Sequence, residues 1–290
     1  HAGGGLYVAN PHHPDWEPRE LVASPDGQIL DCDLSYDGTT ALFSWRQTES
    51  EGYHLWTIRT DGSDLRPLTS GDWHDYNGCW LPDGGIAFLS TRAPQFAYCW
   101  YAPVGVVYRM DADGGNVQRL SSNYLNDFTP YPLEDGRIIF TRWEYVDRPA
   151  IPIQSLWTIA PDGSGLTGYF GNRVLSPATF MDTRQIPGTT KIVCTMTGHN
   201  GPTRGAIGVV DRARGDNVQE AIENITPDVP VPRVNEGCGN TDGTKQYSCP
   251  IPLDAERLLL SAQGPALVRT FSGDCQATAL PMPSDGMQWF

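Results

Sequence analysis

What the chain lacks narrows it first. Only 19% of its 290 residues are charged, and basic residues are the scarcer sign: 20 Lys and Arg against 34 Asp and Glu. A net charge of −14 leaves no basic face for a phosphate backbone, so no nucleic-acid partner is expected. No run of 18 apolar residues occurs, so no membrane span is expected either. Cysteine is sparse. Cys32, Cys79, Cys99, Cys194, Cys238, Cys249 and Cys275 are scattered, and no two form a C-x-x-C. That leaves the chain without a c-type haem attachment site, a zinc ribbon or a thioredoxin motif. G-x-S-x-G, H-E-x-x-H, the P-loop and the dinucleotide fingerprint are also missing. No long segment has a 3.6-residue period, and 31 Gly and 24 Pro would break helices throughout. Asn217 to Glu223 has room for one or two helical turns in a loop. What is plentiful is aromatic: 10% of residues, nine of them Trp. With so few charges that suffices to bury a core, so the chain is not disordered. A turn-rich, all-β protein remains.

A repeat organises it. Asp-Gly occurs nine times, beginning at Asp26, Asp37, Asp61, Asp83, Asp113, Asp135, Asp162, Asp242 and Asp285. Between apolar runs, Asp-Gly signals a type I′ hairpin turn. Six of the nine form three matched pairs. One member precedes an apolar strand: Asp37-Gly38 before Ala41-Leu42-Phe43, Asp83-Gly84 before Ile86-Ala87-Phe88, Asp135-Gly136 before Ile138-Ile139-Phe140. The other follows a second strand: Leu55-Trp56-Thr57-Ile58 before Asp61-Gly62, Val107-Tyr108-Arg109-Met110 before Asp113-Gly114, Leu156-Trp157-Thr158-Ile159 before Asp162-Gly163. Several short strands repeating every ~40–50 residues is the spacing of β-propeller blades. A weaker fourth unit runs through Ile192-Val193-Cys194 and Ala206 to Val210, and a fifth opens before Leu258-Leu259-Leu260.

The expected organisation is a single propeller domain over 1–290. It has a partial blade at 1–32, fuller blades at about 33–78, 79–130, 131–182 and 183–248, and a last partial blade at 249–290. Such a propeller is incomplete as given and six-bladed when whole. The start at His1-Ala2-Gly3 and the stop at Gln288-Trp289-Phe290 read as cut ends, so the sequence is expected to be a fragment.

Several residues have the right chemistry for a site, each with a plain structural alternative. Strand alternation puts Arg142 and Glu144 on one face and Trp143 and Tyr145 on the other. Arg142 is then an anion anchor and Tyr145 a polar aromatic in a catalytic site, or Arg142 and Glu144 simply lock two blades. His199 is flanked by Gly198 and Gly201 in a loop that lets backbone approach a ligand, so it is a candidate base or metal ligand. A turn histidine bonded to nearby backbone is the alternative. Cys99, in the aromatic insertion Phe96 to Tyr101, would bind zinc together with a histidine such as His199, or is a buried thiol. A Tyr/His/Arg set of His74, Tyr131 and Arg142 would serve proton abstraction in a polysaccharide lyase, while His54 and His74 also suit structural caps. His12 and His13 are metal candidates or solvated loop. Cys238 and Cys249 would form a disulfide in an oxidising compartment, or stay as two thiols.

Tyr36-Asp37-Gly38, Leu55-Trp56 and Asp61 to Thr69 resemble TolB-like, WD40-like repeats. A narrower resemblance covers nearly the whole chain. Leu81 to Arg92, Asp135 to Arg148 with its Thr141-to-Arg148 string, Gly171-Asn172 and Gly198 to Gly205 look like the propeller of hydrazine synthase alpha-subunit-like proteins. The resemblance implies a periplasmic or extracellular oxidoreductase. In it, the propeller is scaffold and docking surface for a c-type haem domain or cytochrome subunit, with the haem site in sequence after Phe290. No cofactor is expected within this chain, apart from zinc if Cys99 and His199 bind it. A propeller polysaccharide lyase and a TolB-like interaction module without catalysis are the alternatives.

Overall fold

The computed structural model describes residues 3–9, 18–98, 101–145, 153–199, 203–233, 246–262, 266–271 and 278–279. Among them, five four-stranded antiparallel meanders follow one another. Blade 1 is Gln28–Leu34, Thr40–Arg46, His54–Arg59 and Arg66–Pro67. Blade 2 is Asp75–Trp80, Ile86–Ser90, Val106–Met110 and Gln118–Arg119. Blade 3 is Asp127–Pro132, Ile138–Trp143, Gln154–Ile159 and Thr167–Phe170. Blade 4 is Thr179–Gln185, Ile192–Thr197, Ala206–Val210 and Ile222–Asn224, joined to blade 3 by one parallel pairing, Gln154 with Thr179. Blade 5 is Tyr247–Pro252, Arg257–Ala262, Ala266–Thr270 and Thr278–Ala279. A separate hairpin, Gly5–Val8 with Arg19–Ala23, packs Leu6 and Val22 onto Phe43 and Ile58 of blade 1. No helix among the described residues is long and apolar enough to cross a membrane. Only two single-turn 3-10 helices occur there, Arg212–Arg214 and Gln219–Ala221.

The second strand of each blade is the apolar run that the repeat exposed. Ile86–Ser90 shows why. Its period of two sends Ile86 and Phe88 into a core with Leu42 and Leu55 of blade 1, and Ala87 and Leu89 into another with Ile138 and Phe140 of blade 3. Both faces are buried, so alternate polar residues have no place. At roughly 1.5–3 kcal/mol for each large side chain fully buried, these inter-blade layers hold the propeller together.

Each blade begins a few residues before the boundaries inferred from the repeat. The innermost strand precedes the first turn of its blade. It leaves no apolar run because a bulge interrupts it, between Tyr76 and Cys79, Phe128 and Tyr131, Met181 and Arg184, and Ser248 and Ile251. In each bulge a residue other than glycine adopts positive φ: Asn77 at 50°, Thr129 at 42°, Asp182 at 50° and Cys249 at 50°. Such backbone costs about 1–3 kcal/mol each. Hydrogen bonds between blades offset it. Asp31 Oδ2 accepts from the Asn77 amide at 3.0 Å, Thr129 Oγ1 accepts from the Asp182 amide at 3.2 Å, and the Asp182 carboxylate accepts from the Cys249 amide. One staple recurs at three junctions and sets neighbouring innermost strands in the same direction.

The turns depart from the expected type. Gly38, Gly62, Gly84, Gly114, Gly136 and Gly163 have positive φ, but the aspartates before them do not. These are type I turns closed by a left-handed glycine, not type I′. The aspartate carboxylate decides it by accepting the amide two residues on, as in Asp37 to Thr39 at 3.0 Å and Asp135 to Arg137 at 3.0 Å.

Candidate functional site

An antiparallel meander sends both Asp-Gly turns of a blade to one end of its strands. The connection from second to third strand, and the connection to the next blade, go to the other. With all five blades running the same way, the molecule has a turn end and a loop end. Arg142, Tyr145, His199, His54 and His74 all sit at the loop end.

Two buried carboxylates organise that end. Asp127 accepts from Ser121 Oγ at 2.5 Å and Asn123 Nδ2 at 3.0 Å, and Ser121 Oγ in turn accepts the Val107 amide at 2.9 Å. Burial pushes the Asp127 carboxyl up to about 6, against the pull of Arg142 and these two donors. Arg142 Nη1 is 3.7 Å from Asp127, its Nε donates to Glu144 at 2.9 Å and its Nη2 to the Ser122 carbonyl at 3.0 Å, while its guanidinium lies 5.4 Å over Trp157. Asp75 holds the same place one blade earlier. It accepts two hydrogen bonds from Arg92 Nη2, at 2.9 and 2.8 Å, and one from Trp73 Nε1 at 3.1 Å. Burial raises its pKa, but His54, Ser90 and Arg92 outweigh that and hold it below the usual carboxylate range. His74 Nδ1 accepts the Tyr53 amide at 3.1 Å, which leaves the ring proton on Nε2.

The structure brings Tyr145 and His199 together around one residue. Both rings meet Trp143 edge-on at 5.4 Å, and His199 Nδ1 is 3.5 Å from Gln154 Nε2. Arg142 lies on the other side of the strand, as its alternation with Trp143 requires. Tyr131 is elsewhere: its ring carries the Arg184 guanidinium at 4.1 Å. An aromatic surface continues from Trp143. Tyr124 donates to the Tyr145 carbonyl, Tyr98 lies 5.5 Å from Tyr124, and Phe96 stacks on Tyr101 at 4.5 Å. Tyr98 and Tyr101 are 74% and 85% exposed. Cys99, His12, His13 and Cys238 lie outside the described residues. No group of three His, Cys, Asp or Glu able to hold a metal occurs among the described residues, and the neighbours of His199 named above are not metal ligands.

A second site was not among the sequence candidates. A cavity of about 200 Å³ lies where the innermost strands converge on the axis. Asp31, Cys32 and Asp33 of blade 1, Asn77 and Cys79 of blade 2, Thr129 and Tyr131 of blade 3, Asp182, Thr183 and Arg184 of blade 4, and Cys249 of blade 5 line it. Burial pushes Asp31 up to about 6, raises Asp33 and Asp182, and drives the Cys32 thiol to about 12. These thiols are neutral, not nucleophilic. Of this lining, Tyr131 and Cys249 were sequence candidates for other roles, and Asp31 and Asp33 form an Asp-x-Asp in a strand without an apolar run.

No protein-family model matches the sequence, and no curated protein matches it either. Solved structures do match the fold. Hydrazine synthase of Kuenenia stuttgartiensis superposes with a TM-score of 0.72 at 16% identity, over 93% of this chain and 40% of that chain. TolB from Acinetobacter baumannii gives 0.52 at 15% identity, over 90% and 60%. The gluconolactonase XC5397 from Xanthomonas campestris gives 0.55 at 15% identity, over 89% and 77%. The chain therefore spans less than half of the hydrazine synthase chain it matches. These likenesses establish an all-β propeller of TolB-like repeats.

Proposed function

We propose that the chain is the propeller module of a hydrazine synthase alpha-subunit-like redox protein of the periplasm or extracellular space. In this reading it carries no redox centre itself. It is the scaffold and docking surface for a c-type haem domain, or a cytochrome subunit, whose haem-binding sequence lies outside residues 1–290. The observation that carries the reading is the superposition on hydrazine synthase over 93% of this chain. The sequence offers no C-x-x-C for covalent haem attachment. Covalent attachment needs a thiol pair, and Cys32, Cys79, Cys194 and Cys249 are single buried or half-buried thiols on different blades. The loop end suits a docking role. Its exposed tyrosines and Phe96 are the residue types that supply contact area at interfaces.

The test is to purify the protein as its gene encodes it, from its source cells, and to stain denatured gels for haem. A haem-stained band that is this polypeptide, or one co-purifying in fixed ratio, is expected. Tyr98→Ala with Tyr101→Ala should release a separate haem subunit, or loosen a tethered domain in limited proteolysis. Haem-free protein with no haem-bearing partner overturns the reading.

A further inference from the structure

The axial cavity is lined by charge of both signs, and its two signs are left in different states. The negative groups are mostly engaged. Asp31 accepts from Ser44 at 2.7 Å and from both nitrogens of Asn77, at 3.0 and 3.1 Å. Asp182 accepts from Cys249 and, at 3.3 Å, from Thr195. Asp33 accepts from the Trp80 amide at 2.8 Å and from the Leu34 amide, and no side chain among the described residues donates to it. The positive group is held differently. Arg184 rests on the Tyr131 ring and its hydroxyl, and Asp33 and Asp182 act on it through space rather than by contact. A guanidinium has five donors in a planar fork, and one ring cannot satisfy them. Beside it, Thr183 is 1% exposed, and its hydroxyl has no hydrogen-bond partner among the described residues. Thr129 Oγ1 accepts the Asp182 amide and so keeps its own proton to donate.

An oxyanion is what such donors address. Three aspartates in the same small space oppose a bare anion, and Arg184 opposes a bare cation. A molecule with both charges meets neither objection. We propose that the axial cavity binds a small zwitterionic amino acid, its carboxylate on Arg184 and Thr183 and its ammonium toward Asp33. About 200 Å³ admits one with a short side chain, which Leu30, Pro130 and Cys79 would surround. The site stands whether or not a haem domain docks at the loop end.

The test is calorimetric titration with L-alanine near neutral pH, beside acetate and methylammonium, each of which has half of the charge pattern. Alanine should bind and raise the melting temperature while the two half-ligands do neither. Arg184→Gln should weaken alanine binding at least about tenfold by removing the charge-assisted fork. Thr183→Val keeps the shape, so it should leave the unliganded melting temperature nearly unchanged and weaken binding severalfold; it decides the matter if Arg184→Gln does not fold. Absence of heat and melting shift with alanine at about 10 mM overturns the proposal. So does acetate binding as well as alanine, or binding unaffected by Thr183→Val.

Discussion

At Arg142 one guanidinium is shared among Glu144, the Ser122 carbonyl and the buried Asp127, with 7% of the residue exposed. That is the pattern of a residue on which local structure depends. Arg142→Ala should cost about 3 kcal/mol in urea unfolding, because it leaves a buried carboxylate without its countercharge. A residue that only contacted substrate would leave the unfolding midpoint in place, and that result would restore Arg142 as a site candidate. The alternation that separates Arg142 and Glu144 from Trp143 and Tyr145 was legible, since a strand's period of two is local. The meeting of Trp143 with His199 was not legible, because the two residues belong to different blades. Asp127 and the Ser122 carbonyl were not legible as partners of Arg142, nor Arg184 and Thr183 as a site. Their neighbours come from other strands, and no spacing within one repeat records that.

The hairpin turn is the element read best. All six paired Asp-Gly dipeptides sit at hairpin tips with glycine at positive φ. The turn type was misjudged because the aspartate side chain, not just the two-residue signature, chooses the backbone. Two glycines of equal dihedral separate strain from crowding. A Cβ on Gly136 (φ 85°) meets nothing within 4 Å, whereas on Gly114 (φ 89°) it falls 2.5 Å from the Leu68 carbonyl oxygen of the preceding blade. Gly136→Ala should therefore cost about 1–2 kcal/mol, the left-handed penalty alone. Gly114→Ala should cost clearly more, since backbone of two blades must move apart. Equal losses in denaturant melts would mean that this turn does not abut its neighbour. The innermost strand was the element read worst. Its bulge and its polar staples serve the junction between blades, and that purpose replaces the apolar pattern by which strands are recognised.

Across the whole molecule, acidic groups divide by place, and the division predicts a pH optimum. At the turn end, Asp37, Asp61, Asp135, Asp162 and Asp254 are held below their ordinary values, first by hydrogen bonds from Ser35, Ser63, Arg137, Ser164 and Arg257 respectively. Near the axis burial does the reverse: Asp31 rises to about 6, and Asp33 and Asp182 are raised. At the loop end the two buried carboxyls part: Asp127 rises to about 6, while His54, Ser90 and Arg92 keep Asp75 low against its burial. The signs follow from which state binds protons more tightly. A raised carboxyl keeps its proton longer in the folded chain, so folding loses stability as pH climbs from about 4 to about 6 and regains it on acidification. A depressed carboxyl contributes fully above about 4, and that contribution is lost as pH falls through its folded value. His74 works against the first group. Burial, with His54 and Arg46, lowers its pKa, so the unfolded chain takes that proton first. His74 and Asp75 are two groups against four raised carboxyls, two of those reaching about 6, and the net charge of −14 adds self-repulsion that acidification relieves. Stability should therefore peak at mildly acid pH. Melting temperatures at about pH 7.5, 5.5 and 3 should rise and then fall, and Asp31→Asn should shrink the first step by removing one raised carboxyl. A melting temperature that falls steadily from pH 7.5 downward would show that the buried carboxyls are ionised without cost, and that the axial cluster is more hydrated than its staples imply.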